Sequence, residues 1–436
     1  MRILEYLKIC LGVATCALLT LVAIRALGQS VEPVWSLAQK EKPAVLDTLK
    51  TLVEIESGSA DREGLDRIAD LIAGRLKALG GNVEFIEPGP DTVRFSDTPE
   101  KLGKMVRATF TGTGTKKILL LAHMDTVYPR GMLAQQPFKI EPDRAWGLGI
   151  ADDRHGIAVI LHSLAILKAM DFRDYGAITV LINGDEEISS PASRFLITRL
   201  GGEHDAVMSF EGGGDPKFDR VSLRTSGIAL ATLTVRGRAA HAGVRPEAGV
   251  NALYELAHQV LQARDLSEPA VGLKANWTMA SAGIVRNMIP PGARAVADIR
   301  VERLSDYDGI EQRLRERIKN KLLPEAVVEL DFERRRPPLE ATDASRALAA
   351  HARQVYGEIG KDLVIRDQAG GSGTDAAFAA FKTNAPVVEG FGLRGFGQHS
   401  TNAEYILIDS IEPRLYLAAR MIVEISQGNA PLPSGR

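Results

Sequence analysis

The stretch LLLAHMDTVY, residues 119–128, runs apolar for four residues and then sets a histidine two positions before an aspartate. The pattern recurs along the chain. AITVLINGDEE (177–187) finishes in Glu186 and Glu187, DAVMSFEGG (205–213) carries Glu211, and APVVEGFGL (385–393) leads on to His399. A further segment, GLGIADDRHG (147–156), sets Asp152 and Asp153 in a glycine-bounded turn that opens a helix. Between these runs lie helical stretches such as LDRIADLIAGRLKALG (65–80) and GIAVILHSLAILKAM (156–170). Strands alternating with helices predict an α/β fold around a mainly parallel sheet. The carboxyl ends of parallel strands meet along one edge, where ligands bind, so the polar groups that finish these runs are expected to converge.

Near Ser226 the texture changes to IALATLTVRGR, helix NALYELAHQVLQARD, strands NWTMASAGIV and ARAVADIRVER, helix YDGIEQRLRERIKNKLL and strand AVVELDFERRR. That order, β-α-β-β-α-β, is the ferredoxin-like unit. After Pro337-Pro338 the helix-strand alternation returns. The expected organisation is a larger α/β domain in two parts, 29–225 and 338–436, interrupted by a compact α+β domain at 226–337. No internal repeat or low-complexity tract is present, and the tail QGNAPLPSGR is expected to fray.

With 436 residues, 45% hydrophobic and 25% charged, the chain has ample material for a packed core of two or three domains. A formal net charge of -2 leaves no broad field that would gather nucleic acid or anionic lipid. Residues 1–28 stand apart, because ICLGVATCALLTLVAI (9–24) is a weakly polar to apolar run preceded by Arg2 and Lys8. It is shorter than the ~20 residues of a spanning helix, and Ala26-Leu27-Gly28 offers a cleavage spacing. The expectation is a signal peptide and a secreted or periplasmic protein, with an uncleaved anchor as the second reading. Both cysteines, Cys10 and Cys16, fall in this segment, so the mature chain would hold no disulfide.

Each polar element alone has a structural explanation. A histidine can finish a strand as a hydrogen-bonded residue, an Asp-Asp pair can cap a helix, and a Glu-Glu pair can form a solvated first turn. All of them at equivalent places in a chain of eight histidines make a metal site the better explanation. Two imidazoles and three carboxylates, with no thiol, suit zinc or a similar divalent ion. Five ligands exceed what one open zinc needs but fit two metals ~3.5–4 Å apart that share a carboxylate. Asp152, on its glycine-bounded turn, is the natural bridge. Asp125 can reach the far ring nitrogen of His123 and fix its tautomer. Of the adjacent glutamates, one ligates while its neighbour stays free as a base. We assign Glu187 to metal and Glu186 to base, a choice that spacing alone orders only weakly.

At these residues the chain resembles the di-zinc exopeptidase family that includes glutamate carboxypeptidase, acetylornithine deacetylase, succinyl-diaminopimelate desuccinylase and aminoacylase. The motifs AHMDTVY, GLGIADD, NGDEE, SFEGG, TSGIA, GRAAHAG, NMIPP, GTDAAF and GFGQHS carry the likeness across nearly the whole mature chain. The resemblance implies two zinc ions held by His123, Asp152, Glu187, Glu211 and His399, with Asp152 bridging and with Asp125 and Glu186 catalytic. It also implies that the inserted domain is a dimerising lid whose His241 approaches the scissile carbonyl of a neighbouring subunit. Arg300 and Asn287 match positions that hold the substrate's terminal carboxylate. Arg220 and Ser222 stand where glutamate-specific members carry a lysine and a serine.

Two departures concern the bridge turn, where Arg154 replaces the common lysine and His155 the usual glycine. Either the turn differs slightly, since a Cβ limits positive φ, or His155 contacts substrate. The activity implied is removal of a C-terminal amino acid, glutamate foremost, from peptides or N-acyl conjugates. An N-acyl-amino-acid deacylase is the alternative within the class, and a noncatalytic dimeric binding protein the alternative outside it.

Overall fold

A computed structural model of the chain describes residues 31–215, 217–400 and 404–433. The N-terminal apolar run and both cysteines lie outside these residues, and so does the export expectation. Among the described residues no helix is long and apolar enough to cross a membrane.

The main sheet orders its strands Asn82–Ile86, Met105–Thr111, Ala177–Asn183, Lys117–His123, Ala206–Ser209, Val387–Glu389, Phe218–Ser222 and Leu363–Arg366. The central run from Ala177–Asn183 to Val387–Glu389 is parallel, as is the pair Phe218–Ser222 with Leu363–Arg366. The first two strands are antiparallel additions. Central strands are buried on both faces, which is why KILLLAH and AITVLIN read as continuous apolar runs. Their side chains still alternate. Ile118, Leu120 and Ala122 face a core shared with the helices Val34–Val53, Arg62–Leu79, His155–Ala169, Asp343–Gly357 and Ile411–Ser426. Leu119 and Leu121 face the helices Arg194–Glu203 and Ala376–Ala380 on the other side. Each fully buried leucine or isoleucine contributes roughly 1.5–3 kcal/mol, so this two-sided packing holds the strand ends rigidly in place.

The β-α-β-β-α-β order expected for 228–336 is realised as a four-stranded antiparallel sheet, in the order Lys274–Ala282, Gly292–Val301, Gly227–Arg236, Val327–Arg336. Helices Ala252–Gln262 and Asp306–Arg317 bury one of its faces. Asn251 starts the first of these helices, its side chain accepting hydrogen bonds from the backbone of Leu253 and Tyr254. Strand Lys274–Ala282 ends three residues earlier than NWTMASAGIV suggested and forms an exposed edge. A small sheet of Lys139–Ile140, Arg144–Trp146, Gly395–Phe396 and Tyr405–Leu407, too short to leave a periodic signal, braces the loop that carries His399.

Candidate metal centre

Three adjacent parallel strands deliver the first ligands. His123 is the last residue of its strand, Glu186 and Glu187 follow Ala177–Asn183, and Glu211 follows Ala206–Ser209. Asp152 enters from the turn Ile150–Arg154, which begins after Gly149 at φ 68°. His399 enters from the loop after Gly395–Phe396 and itself has a φ of 58°, uncommon for a residue with a Cβ.

The two oxygens of Asp152 face different imidazoles. Oδ1 lies 2.9 Å from His123 Nε2, and Oδ2 lies 3.3 Å from His399 Nε2. Glu211 Oε1 is 3.6 Å from His123 Nε2, while Glu187 Oε2 is 3.1 Å from His399 Nε2. The result is two adjoining ligand groups that share one carboxylate. Grouped only by mutual separation, ligand atoms within 4.8 Å of one another form the triads His123, Glu186, Glu211 and Asp152, Glu187, His399. Glu186 therefore belongs to the first triad by position, while its Oε1 is also 2.9 Å from Arg336 Nη2. That ion pair separates its role from Glu187, whose partner is the histidine.

Asp125 is fully buried and organises the ligands around it. Its carboxylate accepts from the backbone N–H of Glu186 and of Glu187, at 3.1 Å each, and from Ser59 Oγ at 2.8 Å. Its Oδ1 also lies 3.3 Å from His123 Nδ1, which leaves Nε2 of that ring turned toward Asp152. The Asp-Asp pair divides its work. Asp152 reaches the cluster, while Asp153 Oδ1 accepts from Gly156 N at 3.2 Å and caps the helix behind it. Glu404, which nothing in the sequence singled out, holds the bridge turn from beneath: Oε2 accepts from Gly149 N and Oε1 from Ala151 N. Arg154 is buried and donates to the Met124 carbonyl and to Ser57 Oγ, tying the turn to the strand that carries His123.

His155 takes a helical φ of -68°, so its position demands no glycine, and the turn places its positive φ on Gly149. It is fully buried, packed against Gly392 and Gly395 rather than lining the cavity. Of the two alternatives left open for it, contact with substrate finds no support in this burial.

The charges show what the cluster lacks. Burial pushes Glu187 up to about 7 and Glu211 well above its ordinary range, the neighbouring Asp152 carboxylate adding to both. Hydrogen bonds to Asp152 and Glu187 draw His399 up to about 10. For His123, burial opposes the charged form, but Asp125 and Asp152 outweigh it and lift the ring well above its usual value. Too many carboxylates face too little positive charge. Glu187 Oε1 is buried with no hydrogen-bond donor among the described residues. A buried carboxylate oxygen without a donor, opposed imidazoles and no thiol form a donor set that fits a pair of divalent cations.

A cavity of about 450 Å³ opens over the cluster, lined by Asp152, Glu186, Glu187, Glu211 and His399 and by five arginines. Arg220 and Arg300 are among these arginines, and Ser222 lines the cavity with them. Arg300 is already engaged, its guanidinium forked onto Asp298 at 2.8 Å with Nη1 on the Gly371 carbonyl. His241 and Asn287 do not line the cavity. They are exposed on the lid, where Ala242 N donates to the Asn287 carbonyl and His241 pairs with Met288. Sequence reasoning missed Arg336, the last residue of a lid strand, which pairs with Glu186 and, at 2.8 Å, with Asp375. In ERRRPP it looks like one of three solvated charges; Arg335 is buried as well, and what distinguishes Arg336 is its pairing with Glu186 and Asp375.

The class of protein follows from this frame and from one comparison: residues 119–424 match the profile of peptidase family M20/M25/M40, and the chain belongs to that family of metallopeptidases. Within it the chain is 44% identical over 410 residues to carboxypeptidase G2 of Pseudomonas sp. (strain RS-16), covering 93% of this chain and 95% of that one. It is 27% identical to a succinyl-diaminopimelate desuccinylase of Methylobacterium sp. (strain 4-46), over 84% of this chain and 92% of the relative. Among solved structures, the Bacillus subtilis YXEP protein, a dinuclear metal binding peptidase, superposes with a TM-score of 0.63. That match has 14% identity and covers 89% of this chain and 99% of the other.

Proposed function

We propose that the chain is an exported, homodimeric, zinc-dependent carboxypeptidase that hydrolyses the amide bond to a C-terminal amino acid, glutamate foremost, of peptides or N-acyl conjugates. Residues 29–225 and 338–436 form its catalytic domain and 226–337 its lid. The observation that carries the activity is the split of Asp152 between His123 and His399, with Glu186 held beside them on Arg336 instead of on a histidine.

His123, Asp152, Glu187, Glu211 and His399 would hold the two metals, with Asp152 bridging. When bound, such a pair supplies a Lewis acid for the scissile carbonyl and makes water acidic enough to deprotonate near neutral pH. Glu186 takes the proton of the attacking water and returns it to the leaving amine. Burial raises this carboxyl to about 8, against the pull of Arg336, which suits transfer in both directions near neutrality. Asp125 keeps His123 in the tautomer that presents Nε2. Arg300 receives the terminal carboxylate, and Arg220 and Ser222 receive the side-chain carboxylate, since a guanidinium fork matches that geometry.

His241 and Asn287 act in a neighbouring subunit's cavity, Asn287 on the terminal carboxylate and His241 as a donor to the oxyanion of the tetrahedral intermediate. Their exposure far out on the lid supports that assignment. So does the open edge strand, where Met279 is 64% and Ile284, just beyond it, 78% exposed. Export rests on the apolar run at 9–24.

The test is a hydrolysis screen with zinc-loaded protein across glutamyl, aspartyl and neutral C-terminal conjugates and acetylated amino acids. Release of glutamate from a pteroyl- or dipeptidyl-glutamate is expected. Release of acetate alone would instead favour the deacylase, to which the likeness to the desuccinylase lends support. A chain that holds less than one zinc and hydrolyses nothing would be a noncatalytic dimeric binder.

A further inference from the structure

Strands Phe218–Ser222 and Leu363–Arg366 run parallel at the far end of the main sheet, with Val364 opposite Arg220 and Arg366 opposite Ser222. Register partners in a parallel pair, and residues two apart along one strand, point to the same face. The intervening Val221 is buried in the core and its register partner Ile365 packs against it, so Arg220, Ser222 and Arg366 share the opposite face, and all three line the cavity over the metal ligands.

The arginines of that cavity are not equivalent. Arg224 is bound to Asp367 at 2.8 Å, Arg300 to Asp298, and Arg336 to Glu186 and Asp375. Arg366 is half-buried, and among the described residues its guanidinium has no carboxylate and no hydrogen-bond acceptor within bonding distance. A Cβ built on Gly370 would lie 3.0 Å from both Nη1 and Nη2, so the glycine loop runs beside the guanidinium and the missing side chain leaves it that space. That loop is itself anchored, with Arg300 Nη1 on the Gly371 carbonyl and Ser226 N on the Ser372 carbonyl. A guanidinium positioned in a cavity without an anion is arranged for an anion that arrives from outside.

We propose that Arg366 is a specificity-determining residue of this chain, completing with Arg220 and Ser222 a two-guanidinium subsite for the second carboxylate of a dicarboxylic amino acid. The proposal rests on the carboxypeptidase assignment above and adds a residue to it.

Two measurements on the zinc-loaded protein test it. The first is calorimetric binding of glutarate to wild type and to Arg366→Gln. The second is KM and kcat on an N-acyl-glutamate and on its uncharged isostere, the N-acyl-glutamine. Arg366→Gln is expected to weaken glutarate roughly 10- to 100-fold and to raise KM for the glutamyl substrate by the same factor, with kcat and the glutaminyl KM within about twofold of wild type. Gly370→Ala, which presses a methyl group on the guanidinium, should raise only the glutamyl KM. Equal changes on the two substrates, or none, would overturn the subsite while leaving the peptidase assignment intact. Arg366-dependent glutarate binding in a protein that cleaves neither amide would uphold the subsite and overturn the assignment.

Discussion

Arg336 Nη2 lies 2.9 Å from Glu186 Oε1, with the arginine side chain 2% exposed, so the end of a lid strand opposes the burial that pushes this carboxyl up to about 8. Arg336 also donates to the Glu186 carbonyl at 2.7 Å, which fixes the backbone as well as the head group.

Removing this cation raises the proton affinity of Glu186, because Arg336 is the largest influence opposing burial there. A base works deprotonated, so the acid limb of the kcat/KM profile of Arg336→Met is expected to move about one pH unit or more upward. Leaving Asp375 and Glu186 buried without their partner also costs about 3–5 kcal/mol of stability, read by denaturant unfolding. Arg336→Lys should recover part of both. An unmoved acid limb in a folded Arg336→Met protein would separate this ion pair from catalysis.

Glu186→Gln keeps shape and removes the proposed base. Activity is expected to fall roughly 10²- to 10⁴-fold with both metals retained, measured by kcat and by metal content on the same sample. Normal turnover, or loss of a metal, would exchange the roles of Glu186 and Glu187.

Asp125 accepts two backbone N–H groups and a hydroxyl and borders the His123 ring. Asp125→Asn replaces one acceptor oxygen by a donor that faces other donors. Metal affinity in a chelator competition is expected to drop about 10- to 100-fold, and activity with it. Unchanged affinity would show that Asp125 does not aim the histidine.

His155 gives a pH dependence of stability. Burial lowers its pKa to about 3 in the fold, against about 6.5 in the unfolded chain. Above pH 6.5 both states are neutral there and its contribution is whole. As pH falls from 6.5 toward 3 the unfolded chain takes a proton that the native one refuses, and stability drops by up to about 1.4 kcal/mol per pH unit. Urea unfolding at pH 7 and pH 5 should therefore show a larger loss for wild type than for His155→Asn. Parallel losses would mean that the ring is protonated in the fold.

Addition of zinc to metal-depleted protein is expected to raise its thermal midpoint, by linkage worth about 2.7 kcal/mol at a hundredfold excess over Kd. The same addition to Asp152→Ala should do much less, since both ligand groups lose their shared oxygen pair. A midpoint indifferent to zinc in the wild type would count against the metal centre itself.

His123, Glu187 and Glu211 are legible in the sequence because each ends an apolar run, and parallel strands bring such ends together regardless of how the rest packs. Asp152 was legible from its glycines. The lid was legible from an element order that few folds share. Arg336, Glu404 and Arg366 were not, because a charged residue in a sequence carries no sign of whether it will be buried, paired or left facing a cavity.

By itself, then, the sequence determined which side chains could reach one rim of a parallel sheet, since strand period and strand ends are local properties of the chain. Only the tertiary structure decided which oxygen of Asp152 faces which histidine, that Glu186 answers to an arginine from the lid, and that His155 is core. Those outcomes depend on contacts between segments far apart in the chain, such as the 150 residues between Glu186 and Arg336, and no local pattern encodes them.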